Sequence, residues 1–276
     1  VVLMTNMSPL VIVQQISSGA DTMVLLALPF FLLAGEIMNA AGITKRLTRL
    51  ALALIGPLPG GPSYVVVLAN MLVAMVSGAA IASAAAVGST MVPMMEKKGY
   101  PKGFAAAVNA SSATIGPVIP PSIGFIIYAS VSGTSVGKLF LAGTLPGILI
   151  ALVIMGVCGV VALRSGHPRG ERHSLGKIAQ SFRAALPGLL MPVIILGGIF
   201  GGLVTPTEAG VLAVAYGLVV GLFVYRSLRV GDLPGILLIT ARRSTSILFI
   251  IACASCFGFL VSREVDAEVL VGFFQA

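Results

Sequence analysis

The sequence predicts an all-α polytopic membrane protein, and three observations carry that reading. Hydrophobic residues make up 57% of the 276 positions and charged residues only 9%, against about 25% charged in a soluble domain. Apolar stretches of 18 or more residues recur, each enough for a helix to cross a hydrocarbon core of ~30 Å. Lys and Arg crowd into the connections between those stretches, as they do in cytoplasmic loops. A large soluble core is excluded. The net charge of +8 belongs to the same loop bias. No basic patch is interleaved with aromatics and Trp is absent, so nucleic acid is not an expected partner. No signal-peptide pattern opens the chain. The start at Val1 and the end at Ala276 without a polar tail read as cut ends.

Residues 1–22 are too polar for a span and read as the end of a preceding segment. Single spans are expected over 23–41, 139–163, 186–203, 206–225 and 245–262, each near the ~17–25 residues of a crossing helix. Three other stretches are amphipathic and are expected to lie in the interface plane. "TKRLTRLALALIG" offers Thr44 as N-cap, Leu47, Leu50 and Leu54 on one face, and Lys45, Arg46 and Arg49 on the polar side. "SLGKIAQSFRAAL" repeats the plan with Leu175, Ile178 and Phe182 against Lys177 and Arg183. "DLPGILLITARR" has Asp232 as cap, Pro234 in its first turn and Arg242 and Arg243 at its end.

The stretch 62–95 carries no charge, and its two arms flank "SGAAIAS". Each arm has about 14–17 residues, short for a crossing. Ser77-Gly78 is the expected tip of a re-entrant hairpin, because Gly lets the backbone reverse. Such backbone is tolerated at membrane depth only when buried in protein or lining a cavity. Charge counting supports the hairpin. If 62–95 returns to its own side and 103–133 crosses, then of the 17 Lys and Arg only Lys138 and Arg263 fall on the far side. The crowded side is then cytoplasmic. A single crossing by 62–95 would erase the bias.

Within 103–133, Pro117, Pro120 and Pro121 remove the amides that would bond the carbonyls of Ala113, Gly116 and Pro117. The helix is expected to unwind over 115–121 and restart near Ser122. Freed carbonyls and the oxygens of Ser111, Ser112, Thr114 and Ser122 are hard ligands suited to Na⁺. The half-helix opening at Ile123 turns its amides and positive dipole end toward the break, which favours an anion. Discontinuous helices of this kind build ion and substrate sites in secondary transporters. The cation site is expected to draw on Ser77 and Gly78 facing Gly116 and Pro117, with the Ala113 carbonyl. The substrate site is expected to draw on Ser77, Thr114, Ser122 and Ile123.

"AGEIMNAAGIT", "SGAAIASAAAVGS", "ATIGPVIPPSIGFIIYA" and "GGLVTPTEAGVLAVAYGLVVGLFVYR" together resemble the large membrane subunit of tripartite ATP-independent periplasmic (TRAP) transporters, the DctM type. The resemblance runs through essentially the whole chain. It differs at the tip, where relatives often carry Ser at Ala79 and Asp at Ser83, and at Gly124, where Pro is common. It adds Ala79 to the substrate set and Ser83 to the cation set, with backbone oxygens as the ligating atoms. It implies an inverted-repeat, elevator-type fold in the inner membrane, related to the ion-transporter superfamily. It implies Na⁺-coupled uptake of small organic acids resembling C4-dicarboxylates or sialic acid. The implied partners are a small membrane subunit, a periplasmic binding protein and membrane lipid. A second hairpin would lie beyond Ala276. The chain then divides into 23–61, a span with an amphipathic arm, and 62–133, the transport-domain hairpin and broken helix. Residues 139–244 become scaffold spans and arms, and 245–276 the start of the second half.

Other classes are weaker. A permease working without a binding protein is the nearest alternative. An intramembrane enzyme would need a Ser–His or Ser–Lys pair, paired Asp or a metal cluster. No His or Asp lies in an expected span. A channel would want a continuous polar pore. Thr205-Pro206-Thr207-Glu208 reads as a capping box rather than an ion ligand. Glu36 reads as a scaffold contact and His167 and His173 as solvated. Cys253 and Cys256 of "CASC" read as small packing residues.

Overall fold

The computed structural model describes residues 9–166 and 174–264. Every regular element among them is helical. The basic-loop histidines His167 and His173, and residues 265–276, lie outside the described residues.

After α1 (Pro9–Ala20), α2 (Ala27–Ala40) ends in a corner and turns by 68° into α3 (Ile43–Ile55). The corner is made by Gly42 at φ 72°, a left-handed conformation that suits glycine. Thr44 is therefore not the N-cap of α3. It lies inside the helix, and its hydroxyl donates to the Asn39 side chain at 2.9 Å. Ser227 and Arg46 both donate to the Ala41 carbonyl, at 2.8 Å each, satisfying an acceptor that the end of α2 leaves open. Leu47 and Leu50 are buried as expected, whereas Leu54 is half exposed.

The hairpin forms. α4 (Gly61–Ser77) and α5 (Ala80–Lys97) are separated by Gly78 at φ 62° and an extended Ala79. One amide proves the reversal. Asn109 accepts from Asn70 of α4 (3.0 Å) and donates to the Ala84 carbonyl of α5 (2.9 Å). In one straight helix those two positions would stand about 21 Å apart at 1.5 Å per residue. They can share one side chain only if the arms lie side by side. α4 is the centre of the bundle, with Val65, Val66, Val67, Ala69 and Asn70 fully buried. It packs against α2, α3, α5, α6 (Lys102–Ala113), α8 (Val136–Ser165) and α9 (Leu175–Phe200).

Four helices are long and apolar enough to cross a membrane, over Val136–Ser165, Leu175–Phe200, Pro206–Val224 and Val230–Arg263, and the bent α2–α3 pair is a fifth candidate. The third is α10 (Pro206–Val219) extended by a π turn, Val220–Val224. The fourth is mostly α11 (Leu233–Glu264). Two expected breaks are absent. The amphipathic arms at 174–186 and 232–243 run without interruption into the spans that follow them. A change in which residues are apolar does not end a helix; a freed backbone and a cap do. Pro187 and Pro192 sit inside α9, where Tyr216 and Tyr225 donate to the carbonyls of Pro187 (2.6 Å) and Ala184 (2.9 Å). The Thr205–Glu208 capping box forms: the Thr205 amide donates to the Glu208 carboxylate at 2.7 Å and Thr205 Oγ1 accepts from the Glu208 amide at 3.3 Å. On α11, Cys256 is buried and Cys253 exposed among the described residues.

The basic-residue split sets a topology that labelling can check. Single cysteines at Lys98 and Arg229 should react with an impermeant thiol reagent from the cytoplasmic face only, and one at the exposed Ser135 from the opposite face only. Periplasmic labelling at Lys98 would refute the re-entrant assignment.

Candidate functional site

The broken helix ends and restarts where the prolines require. α6 stops at Ala113, and α7 runs Ile123–Ser132. Between them the chain tightens into three-residue turns, with the amides of Thr114, Ile115 and Gly116 donating to the carbonyls of Ser111, Ser112 and Ala113. The Pro120–Pro121 bond is cis. Ser122 is the N-cap of α7. Its Oγ accepts from the Phe125 amide (3.3 Å) and donates to the Pro117 carbonyl (2.5 Å). Of the three carbonyls that proline frees, Ala113 has taken the Gly116 amide and Pro117 the Ser122 hydroxyl. Gly116 alone accepts no hydrogen bond among the described residues. Each of the occupied carbonyls keeps a second lone pair.

The hairpin tip lies directly on this break. The Ile123 amide, first of the half-helix, donates to the Gly78 carbonyl at 3.5 Å. A Cβ added at Gly78 would stand 2.9 Å from the Pro121 oxygen, and one at Gly116 would stand 3.0 Å from the Ala80 nitrogen and 3.2 Å from the Ala79 carbonyl carbon. The two backbones thus meet with a glycine on each side.

The expected site residues divide. Gly78, Ala79, Pro117 and Ile123 line a cleft of about 620 Å³ at the tip. Gly116 is buried against the tip at its edge. Ser122 and Ala113 are buried behind the cleft, as the cap and the last turn of the two half-helices. Ser77 turns the other way: its backbone packs on Gly35 of α2, where an added Cβ would stand 3.1 Å from Ser77 Cα. Its hydroxyl is 3.1 Å from that of Ser83, which in turn donates to the Ala79 carbonyl at 3.1 Å. Those two serines brace the tip from inside. Thr114 is exposed, with its hydroxyl on the Ser111 carbonyl (2.6 Å), and does not join the cleft.

Sequence reasoning missed two groups. Arg242 and Arg243 of α11 line the same cleft, because the continuous helix carries them past the tip. Arg243 pairs with Glu36 of α2, which gives Glu36 the scaffold contact expected of it. The second group is buried polar: Asn70 Nδ2 donates to the Asn109 side chain (3.0 Å) and to Ser112 Oγ (2.7 Å). An Asn inside "YVVVLANMLVAMV" was the available signal, since a buried amide demands a partner.

No cluster of three or more His, Cys, Asp or Glu occurs among the described residues. No Asp or Glu of the described residues lines the cleft, so a cation at the tip would meet neutral oxygens, a donor set that fits a hard monovalent ion.

A family model described as the tripartite ATP-independent periplasmic transporter, DctM component, matches residues 1–270. The chain is similar to the C4-dicarboxylate TRAP transporter large permease protein DctM of Pseudomonas aeruginosa, 45% identical over 240 residues that make up 87% of this chain and 56% of the relative. It is similar to the 2,3-diketo-L-gulonate TRAP transporter large permease protein YiaN of Escherichia coli, 42% identical over 252 residues, 91% of this chain and 59% of the relative. It is also similar to the sialic acid TRAP transporter large permease protein SiaM of Vibrio cholerae, 37% identical over 261 residues, 95% of this chain and 61% of the relative. The chain spans less than two thirds of the length of each of them.

Proposed function

Because the chain belongs to the DctM component family of tripartite ATP-independent periplasmic transporters, we propose that the permease carrying it takes up small organic acids across the inner membrane in symport with Na⁺. The substrates are anions of the C4-dicarboxylate or sialic-acid kind. A periplasmic binding protein delivers them, and a small membrane subunit braces the scaffold. The observation that carries this reading is the hairpin tip meeting the broken helix, with the Gly78 carbonyl on the Ile123 amide.

The chemistry divides by charge. Na⁺ takes the carbonyl oxygens of Gly78, Gly116 and Pro117, which need no deprotonation to bind it. The substrate carboxylate takes the Ile123 end of α7, where the Gly124 amide makes no hydrogen bond among the described residues and the helix dipole favours an anion, and Arg242 across the cleft. Bound Na⁺ beside the anion strengthens its binding, and the reverse holds equally, since coupling between two sites is reciprocal. Residues 62–133 move as the transport body against the scaffold of 139–244. Arg242 and Arg243 belong to the cytoplasmic set of basic residues, so the cleft they line opens inward.

Uptake into proteoliposomes tests this, using a full-length permease with these residues, its small subunit and its binding protein. Labelled substrate should accumulate only with an inward Na⁺ gradient and should show counterflow. A charge-assisted hydrogen bond is worth ~1.5–3 kcal/mol, so Arg242→Gln should raise the half-saturating substrate concentration about tenfold or more. At saturating substrate, the Na⁺ concentration for half-maximal uptake should change little. Uptake sustained equally by K⁺, or without counterflow, would remove Na⁺ symport as the function.

A further inference from the structure

We propose that a basic cleft between α3 and the first turns of α9 binds the phosphodiester headgroup of an acidic glycerophospholipid. The cleft holds about 470 Å³ and is separate from the hairpin tip. Three cations line it: Arg46 and Arg49 from α3, and Lys177 from α9. Gln180 and Ser181 add neutral donors. No acidic side chain of the described residues lines it.

Arg46 is already positioned. Its Nη1 donates to the carbonyls of Ala41 (2.8 Å) and Gly42 (3.0 Å), and its guanidinium lies 3.7 Å from the centre of the Tyr225 ring. Neutral partners leave its charge uncompensated, and the remaining nitrogens are available to a phosphate, which guanidinium binds well. Arg49 and Lys177 are exposed and pair with no acid among the described residues.

Depth decides between a lipid and a soluble anion. α3 is amphipathic and bent away from its span, the habit of a helix lying in the headgroup layer. α9 begins in the same layer with Leu175 and becomes continuously apolar beyond Leu186. The cleft therefore sits where polar surface gives way to apolar surface. Leu52, Ala53 and Ala184 supply an apolar floor on which glycerol and the first acyl carbons can rest. Basic pockets between helices on the cytoplasmic side suit anionic headgroups.

The test uses a full-length permease with these residues, delipidated in neutral detergent and titrated with phosphatidylglycerol or phosphatidylcholine, with bound lipid read by native mass spectrometry. Phosphatidylglycerol should bind more tightly, and less so at high salt. The double variant Arg49→Gln/Lys177→Gln should weaken it about tenfold or more, each basic group near a membrane surface contributing comparably. Lys45→Gln/Lys97→Gln removes the same charge outside the cleft and should leave binding unchanged. A photoreactive phosphatidylglycerol should label the start of α9 in the unmutated protein, which supports the site without any variant. Equal binding of phosphatidylcholine, or an equal loss in the control variant, would overturn the proposal. So would full displacement by millimolar inorganic phosphate, which would make the ligand a soluble anion. Crosslinking of Lys177 to an acidic segment of the small subunit, with lipid excluded, would make the cleft a protein interface instead.

Discussion

In a full-length permease with these residues, Gly116→Leu is expected to abolish the proposed Na⁺-dependent uptake while leaving the protein inserted in the membrane. A Cβ at this position already approaches the backbone of Ala79 and Ala80 to 3.0–3.2 Å, and backbone cannot swing aside as a flexible side chain does. The three further carbons of leucine would push the tip off the break and pull the Gly78 carbonyl from the Ile123 amide. Overpacking of this kind costs ~1–3 kcal/mol. Each ~1.4 kcal/mol is tenfold in an equilibrium constant, so Na⁺ affinity should fall by about one to two orders of magnitude. Uptake against Na⁺ concentration in proteoliposomes measures this, with membrane-fraction immunodetection as the control for insertion. An unchanged Na⁺ dependence would remove Gly116 from the cation site.

Asn109→Leu should be the most destabilising polar substitution in the hairpin region. It takes the acceptor from Asn70 and the donor from the Ala84 carbonyl at once, and Asn70 is fully buried. Asn70 keeps Ser112 Oγ and Ala84 lies within α5, so neither group is stranded and the loss is that of two hydrogen bonds at ~0.5–1.5 kcal/mol net each. Together they should lower the thermal midpoint of the purified protein by roughly 2–10 °C. Ser111→Ala, on the exposed side of the same helix, should change stability by less than ~0.5 kcal/mol. Equal midpoints for the two variants in a thermal melt would show that the arms are held by packing alone.

What the sequence revealed, and what it hid, follows from the range of the forces involved. The break at 114–121 and the restart at Ser122 were legible because proline acts on its own turn. The tip at Gly78 and the Thr205–Glu208 box were legible for the same reason: a few adjacent residues contain the whole device. Thr44 misled because a local rule had a local competitor, Gly42, which opened the helix two residues earlier. The facing of Asn70 and Asn109 could not be read, since 39 positions separate them. The place of Arg242 and Arg243 was hidden because the arm was expected to stop at their position. Once the helix continues, its rotation is set by packing against α1 and α2, which no periodicity in α11 records. The same reasoning explains the divided site set: Ser77 was assigned to the tip by sequence adjacency, and only the approach of Gly35 on α2 shows which way it turns.

The corner between α2 and α3 has a mechanical consequence. Its angle is clamped by Arg46 and Ser227 on the Ala41 carbonyl, so the two helices act as one rigid bell-crank. One arm is the amphipathic α3, expected to lie along the membrane surface. The other carries Gly35, pressed against the tip at Ser77. A sideways push on the surface arm, from bilayer thickness or lateral tension, becomes a torque at the tip. Transport rate should then respond to acyl-chain length even where every group that touches ion or substrate is left intact.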